Sequence, residues 1–196
     1  MPTEYDEPFL PKGSRLFEIL SVRIEHINKP DSFLSSESKV ALYGTINARD
    51  DDGVEPIWTR SRQNPLLIRA GNTILLEGLS RPLYSQDRCN IELDLLVANG
   101  AEEELTFVNG FTLFDPRHGD KYGVAKRLFS GDLGSVQACY ATFADALYAS
   151  ITIFPLDGDD DDSAVATNVY GTISATTRRG TSELFRQVSK HKSVTV

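Results

Sequence analysis

A segment that occurs twice constrains this chain more than any other feature. Leu42-Tyr43-Gly44-Thr45-Ile46-Asn47-Ala48 lies over Val169-Tyr170-Gly171-Thr172-Ile173-Ser174-Ala175 under a shift of 127 residues, with Tyr-Gly-Thr-Ile identical. The same shift, without a gap, lays Gly53 on Gly180, Ile57 on Leu184 and Trp58 on Phe185. Allowing two residues of difference in the loop before it, Val22-Arg23-Ile24 falls on Ile151-Thr152-Ile153. β-Branched and aromatic residues dominate both copies, so the repeated unit reads as strand, turn, strand. Two copies at this spacing do not make a solenoid; equivalent strands within a sandwich are the better reading. Gly44 and Gly171 mark bulges or close backbone approaches inside their strands.

The rest of the chain continues the pattern. Alternation predicts strands over Phe17 to Ile27, Lys39 to Arg49, Pro56 to Arg60, Thr73 to Glu77, Cys89 to Val97, Leu105 to Phe114, Ser135 to Ala144 and Leu147 to Phe154. The last two are separated around Asp145. Asp50-Asp51-Asp52-Gly53 reads as a hairpin turn, with Gly53 supplying a positive φ. Three prolines within residues 1–13 favour an extended arm. The expected architecture is all-β: an antiparallel β-sandwich of the jelly-roll or C2-like kind. It spans 14–196, with related units near 20–62 and 149–189.

Charge narrows the partners. Twenty Lys and Arg against twenty-eight Asp and Glu give a formal net charge of −8, which repels phosphate backbones, so nucleic acid is not favoured. The sequence offers no membrane span and no secretory signal, and Cys89 and Cys139 lack CxxC spacing, which together suggest a cytoplasmic protein with reduced thiols.

Candidate chemistry is sparse. The acidic runs at Asp50 to Asp52 and Asp157 to Asp162 are oxygen-rich loops of the type that bind Ca²⁺. Asp50, Asp52, Asp157, Asp159 and Asp161 are the candidate ligands, although the EF-hand spacing is missing and solvated charge runs are commoner. Trp58, Arg60 and Arg62, with Phe9 and Leu10 of the arm, are candidate interaction residues. Arg69, Arg81 and Tyr84 extend a basic and aromatic patch. Gly131-Asp132-Leu133-Gly134 is too short for a phosphate loop, and His26, His118 and His191 have no zinc-site spacing.

Trp58-Thr59-Arg60-Ser61-Arg62-Gln63-Asn64, Leu75 to Leu83 and Ile91-Glu92-Leu93-Asp94-Leu95, with both copies of Tyr-Gly-Thr-Ile and Ala146 to Ile151, carry a resemblance. Over roughly Phe17 to Arg186 the chain is similar to an uncharacterised plant domain that follows the toxin part of jasmonate-induced ribosome-inactivating proteins. The acidic insert at Asp157 to Asp162 and Leu79 depart from its pattern. The resemblance implies an all-β fold and a stress or defence setting, and it carries over no catalytic residue. A non-enzymatic protein-interaction or self-assembly module is the leading expectation. A Ca²⁺-dependent carbohydrate- or lipid-binding domain comes second, and an enzyme with a dispersed site third.

Overall fold

The computed structural model describes residues 12–28, 39–77, 79–99, 103–148, 171–176 and 181–187. Their strands, in chain order, are β1 (Ser14–Ile27), β2 (Lys39–Asp50), β3 (Gly53–Arg60), β4 (Leu66–Arg69), β5 (Thr73–Ile74), β6 (Leu83–Tyr84), β7 (Cys89–Asn99), β8 (Glu103–Phe114), β9 (Val124–Gly131), β10 (Gly134–Ala146), β11 (Gly171–Thr176) and β12 (Thr181–Gln187). A 3₁₀ turn at Pro116–His118 follows β8. Among the described residues there is no α-helix.

Two antiparallel sheets pack together. One runs β5-β1-β10-β9 with β6 also on β1; the other runs β3-β2-β7-β8 with β4 also on β2. Strand alternation sends Val22 and Ile24, Leu42 and Ile46, Ile91, Leu93 and Leu95, and Val136 and Ala138 into one core between them. The buried residues Leu16, Phe17, Ile19 and Leu20 resist a single alternation because β1 is bulged between Ile19 and Ser21, which changes the phase of the inward-facing residues. Burial of each large aliphatic or aromatic side chain contributes about 1.5–3 kcal/mol.

The sheets meet at both margins. At one, Gly131 lies so close to the Phe107 carbonyl that a Cβ would overlap it, and Gly110 packs against the Phe129 ring, which sets β8 and β9 side by side. At the other, the Glu77 amide donates to the Ile57 carbonyl at 2.6 Å, so the segment after β5 crosses back to β3. The sandwich is therefore laterally closed around its core, with the segments between strands carrying the polar ties.

The repeat is a repeat of structure. In β2–β3, Gly44, Thr45 and Ile46 pair with Arg60, Thr59 and Trp58, a bulge follows Ile46, and Asn47 pairs with Pro56. In β11–β12, Gly171, Thr172 and Ile173 pair with Gln187, Arg186 and Phe185, a bulge follows Ile173, and Ser174 pairs with Glu183. Each of these pairs recurs under the same shift, bulge included. Gly44 and Gly171 both hold positive φ, +116° and +132°.

Several strand limits differ from the sequence expectation. β10 runs straight through Asp145 to Ala146 because Ser14 of β1 pairs with that last residue; Leu147 and Tyr148 lie beyond the strand, and 149–170 are outside the described residues. β9 was not expected, since Lys126 and Arg127 interrupt its apolar pattern. β4 and β6 are too short to show periodicity. Gly53 does hold a positive φ at the β2–β3 turn.

Candidate functional site

The end of the sandwich at the β2–β3 turn collects the charged chemistry. Asp50 closes β2 with its carboxylate buried, and Arg81 reaches it with two donors, Nη1 to Oδ2 at 2.7 Å and Nη2 to Oδ1 at 2.6 Å. The Tyr84 amide adds a third bond at 2.9 Å and the Asp52 amide a fourth at 3.1 Å. Burial opposes ionisation of Asp50, but these donors outweigh it and hold the carboxyl below its ordinary pKa. Arg81 also contacts Glu55 at 3.2 Å. Glu55 in turn accepts from the Ser80 hydroxyl at 2.7 Å. The cluster thus ties β2 and β3 of one sheet to the segment that leads into β6 of the other.

Beside it, Asp51, Asp52, Tyr84, Gln86 and Asp87 line a cavity of about 250 Å³. A hydrogen bond shared with Asp87 raises the Asp51 pKa, with smaller contributions from desolvation and the Asp87 charge, while Arg117 works against them. Arg117 bridges to Asp87 at 2.8 Å. Behind that bridge, buried Asp115 accepts from Arg88 Nε at 2.9 Å, pairs with His118 Nδ1 at 2.8 Å and caps the 3₁₀ turn through the Arg117 amide at 3.0 Å. These partners overcome desolvation and hold its pKa at about 2.

A second surface is apolar. Phe111 and Leu113 of β8 are 65% and 47% exposed, and Val124 and Leu128 of β9 are 46% and 56% exposed. β8 and β9 are the outer strands of their sheets. The close approaches of Phe107 to Gly131 and of Gly110 to Phe129 run the two strands antiparallel along their seam, which brings Phe111 level with Leu128. Cross-strand neighbours on the outer faces are polar: Glu92 opposite Phe111, Asn90 opposite Leu113 and Gln137 opposite Leu128.

Compared with known protein families, residues 16–196 match the one described as Domain of unknown function (DUF6598). The chain is a member of DUF6598. No curated protein matches the sequence. In this DUF6598 chain, no helix among the described residues is long and apolar enough to cross a membrane.

The residues singled out from the sequence fare unevenly. Trp58 is 1% exposed and belongs to the core, so it presents no interaction surface; its place opposite Ile46 turns it inward. Arg60 is exposed at the end of β3, whereas Arg62 pairs with Glu104 at 3.4 Å. With Trp58 buried and Arg81 held by Asp50 and Glu55, the basic and aromatic patch does not assemble. Asp50 is likewise taken up by Arg81 and is not an open metal ligand, while Asp52 lines the cavity. Asp157, Asp159, Asp161, Phe9 and Leu10 lie outside the described residues.

Among the described residues, no three or more His, Cys, Asp or Glu side chains are grouped to hold a metal ion. Gly131-Asp132-Leu133-Gly134 is the β9–β10 hairpin turn. Cys89 and Cys139 are free thiols, and burial, with neighbouring carboxylates, pushes Cys89 up to about 12, which leaves it unreactive. The residues that sequence reasoning missed are Asp87, Asp115 and the seam of Phe111 and Leu128. The signal available for the seam was the pairing of Phe111 and Leu113 at alternate positions with polar Asn109, an exposed face carrying the wrong residue type.

Proposed function

We propose that this DUF6598 domain is a non-enzymatic protein-interaction module whose contact surface is the β8–β9 seam. One observation carries the reading: Phe111, Leu113, Val124 and Leu128 form exposed apolar surface on two neighbouring outer strands, bordered by Asn90, Glu92 and Gln137. An apolar centre with a polar rim is the anatomy of a protein interface, and solvent alone gives no reason to place a phenylalanine there. Because β8 and β9 approach each other, the seam offers side chains, not backbone, and a partner would meet it with a complementary apolar face. The motif resemblance to the domain that follows the toxin part of jasmonate-induced ribosome-inactivating proteins supports a stress or defence setting; the family assignment itself carries no such link.

The test compares wild type with Phe111→Asp/Leu128→Asp. Both positions are exposed, so the melting temperature should stay within about 2 °C. Partners captured by the wild type are identified, purified and titrated against both proteins by calorimetry. Loss of at least about tenfold in affinity in the variant supports the reading; equal binding removes it.

A second reading, Ca²⁺-dependent binding, has one supporting observation. Asp51, Asp52 and Asp87 line one cavity, where Asp87 raises the Asp51 pKa, and a cation would relieve the repulsion among these carboxylates.

A further inference from the structure

The β8–β9 seam carries a charge pattern as well as an apolar centre, and the pattern limits what can cover it. β8 and β9 run antiparallel there, so with Phe111 level with Leu128, Leu113 falls level with Lys126 and Asn109 level with Ser130. All of these residues are exposed. Next to β8, strand β7 sets Glu92 opposite Phe111, Asn90 opposite Leu113 and Asp94 opposite Asn109. Glu92 holds Arg49 at 2.8 Å through Oε1, and Asp94 accepts from Asn109 at 3.1 Å. On the other side, β9 itself carries exposed Lys126 and Arg127, and β10 sets Gln137 opposite Leu128 and Ala138 opposite Arg127. The strip is therefore bipolar: acidic along its β7 border, apolar along its centre and basic along its β9 border.

A partner of one charge sign would meet like charge along one of these borders, and like charges brought face to face exclude a partner. A second copy of the same strip has no such conflict. A two-fold axis along the seam lays the β9 side of one copy on the β7–β8 side of the other, so each basic border meets an acidic one and the apolar centres coincide. Because Phe111 and Leu128 stand level across the seam, the same axis sets each of them on the other in the second copy. The symmetry makes that contact twice, and both remove exposed apolar surface from water.

We infer that the β8–β9 seam pairs with the seam of a second copy of this chain about a two-fold axis, with Phe111 on Leu128 of the second copy and Lys126 beside its Glu92. The inference rests on the seam being a contact surface and names the partner. Four exposed apolar residues make a small centre, so the dimer belongs to the weak, reversible class.

Sedimentation equilibrium of the full chain, from micromolar to submillimolar concentration, tests this. Two copies of net charge −8 repel at long range. The salt is therefore set at about 0.15 M, which screens that repulsion beyond about 8 Å. Wild type is compared with Phe111→Asp/Leu128→Asp, Lys126→Glu and Glu92→Lys. The expected result is a wild-type dimer whose dissociation constant rises at least about tenfold in the seam double variant. Lys126→Glu and Glu92→Lys each place two like-charge contacts in a symmetric dimer, so each should weaken it. Mixed in equal amounts, they should associate again, because every altered charge then meets its opposite. Where Glu92→Lys, which gives up Arg49, does not fold, Lys126→Glu alone decides. A wild type that stays monomeric at submillimolar concentration overturns the inference and leaves the seam to a different protein, which calorimetry of captured partners decides. A dimer that the seam double variant leaves intact overturns it too, as does one that Lys126→Glu does not weaken.

Discussion

Hairpins β2–β3 and β11–β12 share one register, one bulge and a glycine in the left-handed region, yet their surroundings have little in common. The first is bordered by β4 and β7 and anchored by Asp50 to Arg81 and Tyr84. The second pairs only within itself among the described residues. Local sequence evidently sets the hairpin, because Tyr-Gly-Thr-Ile and the bulge that follows give the same geometry in both places. Context sets its stability, and the comparison can be broken by changing equivalent residues in each copy.

The sharpest test is the glycine pair. Gly44→Ala combines an unfavourable φ with a collision against the backbone of β7, and should cost about 4 kcal/mol or more, measured by urea denaturation. Gly171→Ala meets no described atom and carries the φ strain, on the order of 1–3 kcal/mol. Global stability should therefore fall much further for the first than for the second. Equal losses would mean that β11 is packed as tightly as β2.

Next in size is the anchor that only the first copy has. Arg81→Leu leaves the Asp50 carboxylate buried with two backbone donors and no counter-charge, and removal of one member of a buried pair costs about 3–5 kcal/mol. The double change Asp50→Asn/Arg81→Leu should recover part of that loss, as a double-mutant cycle would show. Without recovery, Arg81 would matter through Glu55 and Ser80 instead.

Acid should act on the same end of the molecule. Asp50 and Asp115 have folded pKa values below the ordinary aspartate value of about 3.9, that of Asp115 being about 2. Their contribution is fully present above the unfolded value and is lost as pH falls from about 4 toward 2. Asp51, shifted upward, contributes with the opposite sign, and its exposure keeps it small. β11 has no titratable side chain. Denaturation curves from pH 6 to pH 2 should show the loss in the wild type and a shallower slope in Asp115→Asn; an unchanged slope would remove Asp115 from the acid response.

What the sequence made legible follows from range. The hairpins, the sandwich and the inward alternation of β2, β7 and β10 depend on neighbours two residues apart or on the repeat itself, and all of these are visible in one dimension. Trp58 looked like a surface anchor because an arginine-rich flank surrounds it, but its inward direction is fixed by pairing with Ile46. Asp50 looked like one of three equivalent acids. Arg81, thirty-one residues away, distinguishes it. The cavity and the seam likewise join residues remote in sequence, Asp51 with Asp87 and Phe111 with Leu128, and no spacing rule announces such pairs.

Calcium gives the smallest expected effect and separates the two readings of the acidic end. The neighbouring Asp87 raises the Asp51 pKa, so protons compete with Ca²⁺ there, and affinity should be higher at pH 7 than at pH 5. With so few ligands, binding should be weak. At a concentration equal to the dissociation constant, linkage adds only about 0.4 kcal/mol. For a domain of this size that amounts to a rise of roughly 1 °C in melting temperature. Scanning calorimetry in millimolar Ca²⁺ and in chelator, at both pH values, can resolve such a shift, and Asp51→Asn/Asp87→Asn should abolish it. A shift that survives the double substitution assigns the cation to other carboxylates. Identical melts in calcium and chelator remove the calcium reading and leave the apolar seam as the proposed contact surface.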